Sequence, residues 1–215
     1  MIIGGSEAPL PPIPPTASDF GAQRLRVSVS DPRVHILGAS GSGTTTLGAA
    51  LAVRLGVVHL DTDEFYWRPT IPKFESIRPR AERQALLGEA LARPGGWVLS
   101  GSLCGWGDVF IPLFDLVVFI ALPPEIRMAR LAEREAGRYG AAAIAPGGAH
   151  HDKYEAFMAW AAAYETGGVE RNRAMHETWL AALGCRVLRL TTNAPVADHV
   201  AHVVAHAAPR VPPRA

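Results

Sequence analysis

Short apolar runs alternate with segments of helical periodicity through most of the chain. The apolar runs are typical of strands buried on both faces, and the segments between them repeat apolar residues at helical spacing. The predicted strands are 34–37, 57–60, 97–99, 115–122 and 185–190, and the predicted helices are 44–55, 80–92, 123–138, 194–207 and two within 152–165 and 169–183. This alternation predicts an α/β fold, an open parallel sheet with helices on both faces.

Both ends of the chain lack this periodicity. Residues 1–31 are rich in proline, glycine, serine and alanine, and residues 208–215 have a similar composition. We therefore expect two disordered tails around a single domain at 32–207. The five prolines between Pro9 and Pro15 favour polyproline II, so a ligand for a proline-binding domain is an alternative for the first tail.

Composition and charge narrow the class of protein. The 215 residues are 48% hydrophobic and 19% charged, as in a soluble globular domain, and the formal charge of +1 gives no reason to expect nucleic acid or a membrane as a partner. No apolar run approaches the roughly 20 residues of a membrane span, and the N-terminus lacks the basic and apolar regions of a secretory signal. Cys104 and Cys185 are too few for a disulfide framework. We expect a cytoplasmic protein, as a monomer or a homodimer.

A glycine-rich loop follows the first predicted strand and leads directly into a predicted helix. It matches the phosphate-loop pattern G-x-x-x-x-G-K-[ST] at both glycines and at the final hydroxyl, but Thr44 occupies the lysine position. A dinucleotide-binding fingerprint would need a glycine where Thr46 stands, so that alternative fails on spacing. The residues expected to surround the phosphates are Gly38, Ala39, Ser40, Gly41, Ser42, Gly43, Thr44 and Thr45.

The exchange of lysine for Thr44 affects binding and catalysis differently. Backbone amides and the helix N-terminus bind phosphate whatever side chain stands at this position. The exchange removes a cation from the β- and γ-phosphates, and a well-placed arginine in phosphoryl transfer contributes about 10³–10⁵-fold in rate. We therefore expect nucleotide binding to survive, and turnover to require a positive charge from elsewhere in the chain.

A run of arginines in the helix predicted after the fourth strand is the candidate source of that charge. Arg127, Arg130, Arg134 and Arg138 are spaced to lie along one face of the helix, where they could clamp phosphates. The glycine- and alanine-rich segment that follows has the composition of a closing lid, expected at about 138–152. A solvated helix face, balanced by Glu133 and Glu135, is the alternative.

Two aspartates follow the second predicted strand, at the sheet edge where doubly wound folds bind ligands. We expect Thr45 and Asp61 to hold Mg²⁺ and Asp63 to accept a proton from the phosphoryl acceptor. An acidic cap on the end of the strand is the alternative. Further candidates around the acceptor are the small residues Gly101 and Ser102, the aromatic residues Tyr66, Trp67 and Trp106, and the arginines Arg78, Arg80 and Arg83. Arg171 and Arg173 form a second candidate pair for phosphates, and Thr192 and Asn193 are candidates for the edge of a purine ring.

Five stretches together resemble the adenylate-kinase-like P-loop kinases, which include nucleoside monophosphate, shikimate and gluconate kinases and topology-modulation-protein-like members. They are GASGSGTTTLG, HLDTDEFYW, GWVLSGS, DLVVFIALPPEIRMARLAER and VLRLTTN. The resemblance implies a three-layer P-loop NTPase fold with a five-stranded parallel sheet, a lid, and an acceptor-binding segment around 64–85. The Asp61 and Asp63 pair looks like that of shikimate kinases, and the run from Arg130 to Arg138 is similar to the lid-entry helix of the group.

The sequence therefore predicts a Mg²⁺- and ATP-dependent kinase that transfers the γ-phosphoryl group to a small metabolite or a nucleoside monophosphate. Its expected catalytic residues are Asp63, Arg130, Arg134 and Arg138. One alternative is a non-catalytic nucleotide-binding module that lost activity with the loop lysine. Another is an interaction protein that acts through its proline-rich tail.

Overall fold

Five parallel strands form the centre of the protein, whose computed structural model describes residues 31–71 and 73–207. The strands lie in the order β2-β3-β1-β4-β5, and every neighbouring pair is parallel. Their bounds are β1 Arg33–Gly38, β2 Val58–Asp61, β3 Trp97–Ser100, β4 Leu116–Ile120 and β5 Arg186–Leu190. The five-stranded parallel sheet expected from the sequence is confirmed.

Helices connect successive strands. They are α1 Thr44–Leu55, α2 Thr62–Tyr66, α3 Arg80–Leu91, α4 Pro124–Tyr139, α5 Ala141–Ile144, α6 His151–Ala162, α7 Arg173–Ala181 and α8 Val196–His206, with a 3₁₀ helix at Asp108–Leu113. The predicted helices are all present within a few residues of their expected bounds. The short helices α2 and α5 and the 3₁₀ helix were not predicted, because they are too short for a periodic pattern to emerge.

The sheet is covered on both faces, as its apolar strands require. Alternate residues of β1 point in opposite directions, so Val34 and Ile36 join one core cluster and Leu37 joins the other. The first cluster contains residues of α1 and α8, and the second contains residues of α3 and α7. The result is a three-layer sandwich of helices, sheet and helices.

Strand register brings the candidate site together at one edge. Asp61 pairs with Ser100 at the carboxyl ends of β2 and β3, and Gly38 pairs with Ile120 at the ends of β1 and β4. Because all strands run in the same direction, the segments that follow them emerge at the same edge. The glycine-rich loop, the two aspartates and the segment after β3 therefore lie close together.

None of the helices in the described ranges is long and apolar enough to cross a membrane. The tails expected at 1–31 and 208–215 lie outside the described residues, apart from Asp31.

Candidate active site

The glycine-rich loop has the strand–turn–helix geometry that the sequence predicts. Strand β1 ends at Gly38 and α1 begins at Thr44. Gly41 and Gly43 have φ angles of 81° and 96°, a region that residues with a side chain rarely adopt. Thr44 and Thr45 are the first residues of α1, so their N–H groups have no partner within the helix. These amides and the positive end of the helix dipole suit an anion.

The side chain of Arg127 holds the glycine-rich loop in place. Its side chain is only 1% exposed, and its guanidinium donates to the Ser40 carbonyl at 3.1 Å and pairs with Glu165 at 2.9 Å. A Cβ atom at Gly41 would lie 2.6 Å from the Arg127 carbonyl oxygen, so only glycine fits against α4 there. The expectation that Arg127 belongs to a phosphate-facing stripe is therefore wrong, because this side chain is buried and its hydrogen bonds hold the loop.

Arg130 is the arginine that lies at the mouth of the loop. One of its terminal nitrogens donates to the Ser42 carbonyl at 3.3 Å and is 3.4 Å from where a Cβ of Gly43 would lie. The other donates to the Asn193 side chain at 2.6 Å. Asn193 follows β5, so this contact joins the two ends of the site. The guanidinium therefore stands beside the position where a phosphate-loop lysine is missing.

The other two arginines of the run share one carboxylate. Glu135 is buried, and its Oε1 atom accepts from Arg134 at 2.9 Å and from Arg138 at 3.4 Å. Arg134 also lies over the Phe157 ring on α6, with 5.6 Å between the guanidinium carbon and the ring centroid. Both guanidiniums remain half-exposed, so they can exchange this partner for another anion.

The predicted metal ligands meet directly. The Thr45 hydroxyl donates to Asp61 Oδ2 at 2.8 Å, and Asp61 Oδ1 accepts from the Asp63 amide at 3.0 Å. Asp61 thereby caps helix α2 at its N-terminus, which fixes the carboxylate against the loop. The same hydrogen bond holds the start of α2, and with it Asp63, next to Asp61.

Two residues that sequence reasoning missed extend this arrangement. The Ser100 hydroxyl at the tip of β3 donates to Asp61 Oδ2 at 3.4 Å and lies 2.9 Å from the His59 Nε2 atom. Both residues look like ordinary strand positions in the sequence, and only the pairing of β2 with β3 brings them to Asp61. They help to orient its carboxylate.

The residues present fit Mg²⁺ as part of a larger set. Threonine and aspartate oxygens are hard ligands of the kind Mg²⁺ prefers, and Mg²⁺ ordinarily keeps several waters and takes phosphate oxygens in addition. The described part of the chain contains no cluster of three or more acidic, histidine or cysteine side chains that could hold a metal alone. Thr45 and Asp61 therefore suit a cation that arrives with a nucleotide.

An aromatic cluster with two arginines lies at the C-terminal end of α2. The Tyr66 ring packs edge-on against Trp106 at a centroid distance of 6.0 Å. Arg83 and Arg171 each place their guanidinium carbon 4.4 Å from the Tyr66 centroid. Within 31–71 and 73–207, neither guanidinium pairs with a carboxylate, and the Arg83 Nε atom is buried without a hydrogen-bond partner. Arg78, by contrast, is paired with Glu82.

Asp63 lies on the same short helix as Tyr66. Although the residue keeps solvent access, the surrounding protein partly desolvates its carboxyl, and this raises the pKa. The negative charge of Asp61 raises the pKa further, while Arg171 and Arg134 act in the opposite direction. A carboxylate made more basic in this way suits proton transfer from a hydroxyl.

Comparisons with known proteins bear on the family and the fold of the chain. No protein-family model matches the chain. The chain is 46% identical over 172 residues to the uncharacterized protein YqaC of Bacillus subtilis, covering 80% of this chain and 94% of YqaC. It is 29% identical over 114 residues to the cytidylate kinase of Archaeoglobus fulgidus, covering 48% of this chain and 62% of that enzyme.

Among solved structures, a shikimate kinase from Bacteroides thetaiotaomicron has the same fold. It superposes with a TM-score of 0.51 and 16% sequence identity, over 81% of this chain and 97% of that chain. The similarity confirms the expected P-loop kinase fold. The roles of the individual site residues stay predictions.

Proposed function

The chain belongs to the same family as YqaC of Bacillus subtilis, within the adenylate-kinase-like P-loop kinases, and on that premise we propose that it is an ATP-dependent phosphotransferase. It transfers the γ-phosphoryl group of ATP to a hydroxyl or phosphate oxygen of a small metabolite or a nucleoside monophosphate. The observation that carries the proposal is the hydrogen bond of 2.8 Å from the Thr45 hydroxyl, in the phosphate loop, to the Asp61 carboxylate.

The loop holds the phosphates of ATP. Its amides and the N-terminus of α1 supply donors and a partial positive charge, neither of which depends on the residue at position 44. Thr45 and Asp61 hold Mg²⁺, which when bound neutralises charge on the phosphate oxygens. Arg127 keeps the loop in shape by its hydrogen bond to the Ser40 carbonyl.

Arg130 supplies the charge that the loop lacks. Its guanidinium already lies against Gly43, whereas Arg134 and Arg138 are held by Glu135. A short rotation of the side chain away from Asn193 would bring it to the β- and γ-phosphates. Arg134 and Arg138 join it when helices α5 and α6 close over the nucleotide, as a lid would.

Asp63 is the base on the acceptor side. The acceptor oxygen forms a bond to the γ-phosphorus, the bond from that phosphorus to the bridging oxygen of ADP breaks, and the proton of the acceptor passes to the Asp63 carboxylate. Partial desolvation, which raises the pKa of Asp63, favours this transfer. Among the described residues Arg83 and Arg171 have no carboxylate partner, and they suit an anionic group elsewhere on the acceptor.

A non-catalytic nucleotide-binding module is the second candidate, and Thr44 is the observation that favours it. A phosphate loop without its lysine keeps its amide donors but loses a cation, so tight binding without turnover is physically consistent. The two candidates differ in one respect only. The kinase releases ADP when an acceptor is present, and the binding module does not.

The deciding experiment measures ADP release from MgATP across a panel of hydroxylated metabolites and nucleoside monophosphates. We expect at least one acceptor to stimulate wild-type turnover, and Arg134→Ala to lower the rate while ATP still binds. Asp63→Asn should remove the stimulated rate, and Glu64→Gln, which changes a neighbouring exposed acid of α2, should leave it intact. Binding of ATP with no stimulated turnover by any acceptor would favour the non-catalytic module.

A further inference from the structure

A chain of three hydrogen-bonding side chains runs from the interior to the acceptor side of the sheet edge. The Ser102 hydroxyl, two residues after β3, lies 3.1 Å from the Nε2 atom of His176 on α7. The Nδ1 atom of the same ring lies 2.9 Å from the hydroxyl of Tyr164, which follows α6. His176 and Tyr164 are buried, and Ser102 is only partly buried. The open end of the chain is therefore Ser102.

Burial decides which way the protons point. Tyr164 has one hydrogen-bond partner for its hydroxyl among the described residues, and that partner is His176. If the ring donated to Tyr164, the buried phenol proton would have no acceptor, which is costly. The phenol therefore donates to Nδ1, and the neutral ring carries its proton on Nε2 and donates it to Ser102. Burial and the nearby Arg171 charge keep the ring neutral by lowering its pKa to about 4.

This direction leaves the Ser102 proton for a ligand. The Ser102 oxygen accepts from His176, so its own O–H turns away from the ring. The Cys104 thiol is within hydrogen-bond reach, but sulfur is a weak acceptor and an anionic oxygen competes well with it. The Ser102 carbonyl accepts from the Trp106 indole at 3.0 Å, which fixes the serine beside the aromatic cluster.

We propose that Ser102 is a specificity-determining donor of the acceptor site, held in its donating orientation by His176 and Tyr164. It selects acceptors that present an anionic or carbonyl oxygen to the Ser102 hydroxyl. The inference rests on the proposed function only for the identity of this part of the sheet edge as the acceptor site. The orientation of the three side chains is a property of the free protein.

The first test reads the histidine tautomer directly. Long-range proton–nitrogen NMR spectra of the histidine rings at neutral pH, assigned by the signal that His176→Gln loses, should show a protonated Nε2 and an unprotonated Nδ1. Tyr164→Phe should shift the Nδ1 signal, because the donor to that atom is gone. A ring with its proton on Nδ1 would overturn the proposal, whether or not the protein is a kinase.

The second test measures the donor with inorganic phosphate as the probe. Calorimetry in the presence of saturating MgADP, which fills the loop, should show phosphate binding that Ser102→Ala weakens about tenfold, the usual cost of losing a hydrogen bond to a charged group. Ser102→Thr, which keeps the hydroxyl, should bind nearly as well as the wild type. Equal phosphate affinity in the alanine variant would refute the role of Ser102, and ATP turnover plays no part in that result.

Discussion

The hydroxyl of Thr45 donates to the Asp61 carboxylate over 2.8 Å, a contact that joins the phosphate loop to the end of β2. The two residues are 16 positions apart in the sequence, and both are proposed to hold Mg²⁺. The loop is proposed to bind the nucleotide, and the segment after β2 leads to Asp63, the proposed base. The contact places both segments at one point of the sheet edge before any ligand binds.

Replacing Asp61 with asparagine separates its two roles. Asparagine is as good a helix cap as aspartate, so the bond from the Asp63 amide and the stability of the protein should be retained. The loss of negative charge should weaken MgATP binding by about ten- to a hundredfold, the usual cost of removing a group that supports a metal. Calorimetry with and without Mg²⁺ measures this.

ATP without Mg²⁺ is the control for that experiment, because the loss of a carboxylate removes no attraction for a metal-free anion, and the affinity for it should not fall. Equal MgATP affinity in wild type and Asp61→Asn would mean that the carboxylate serves only as a cap.

A paired substitution tests whether Arg130 replaces the loop lysine. Arg130→Ala should lower kcat by about 10³-fold or more, because it removes the guanidinium beside Gly43. Adding Thr44→Lys to that variant should restore at least about tenfold, since the new ammonium stands where other phosphate loops carry theirs. Steady-state ADP release, with the acceptor found in the metabolite panel, gives both values.

Thr44→Lys in the otherwise unchanged protein should give little gain, because Arg130 already supplies a cation beside Gly43. A large gain from Thr44→Lys alone, with no loss from Arg130→Ala, would show that the loop lacks a cation altogether.

Glu135 is expected to restrain the other two arginines. Glu135→Gln removes the charge that holds Arg134 and Arg138, so both become freer to reach phosphate. Because both guanidiniums are half-exposed, the ion pairs are of modest strength, and ATP should bind about two- to fivefold more tightly. Glu133→Gln, on the exposed side of the same helix, is the matched control and should change nothing. Weaker binding in Glu135→Gln would mean that the glutamate positions the arginines instead of restraining them.

The buried histidine His35 should make the protein sensitive to acid. Its ring is buried and stacks on the Phe114 ring. Burial lowers the pKa of His35 to about 3 from an ordinary 6.5. The folded state therefore binds fewer protons than the unfolded state as the pH falls. Stability present above the unfolded pKa is therefore lost on acidification. Between about pH 7.5 and about pH 5, His35 alone is expected to account for a loss of about 2 kcal/mol in unfolding free energy.

Urea unfolding at the two pH values measures that loss. His35→Gln cannot take up the proton, and it should lose about 2 kcal/mol less than the wild type over the same interval. Equal losses in both proteins would assign the acid sensitivity to other groups, such as His176, whose pKa is also lowered by burial.

The sequence predicts the sheet strands and the phosphate loop well, because each is determined by residues that are contiguous in the chain. The apolar run of β4 and the glycines from Gly38 to Gly43 determine local structure within a few residues of themselves. The long helix α4 was equally predictable from its opening prolines and its periodicity. None of these needs a distant part of the chain to be recognised.

The different positions that the arginines of α4 take in the structure could not be predicted in the same way. Arg127 and Arg130 look alike in the sequence, but one is buried beneath the loop and the other stands beside Gly43. The difference arises because Glu165 and Asn193, both far along the chain, supply their partners. The Ser102, His176 and Tyr164 chain is hidden for the same reason, since single polar residues on three separate segments carry no spacing signal.

Calorimetric titration of the intact protein with MgATP, adenosine and tripolyphosphate tests the central claim most directly, because the claim is that the loop binds phosphates without a lysine. The account predicts that MgATP and magnesium tripolyphosphate both bind, and that adenosine binds far more weakly than either. Adenosine binding as tightly as MgATP, or no binding of either phosphate compound, would contradict it.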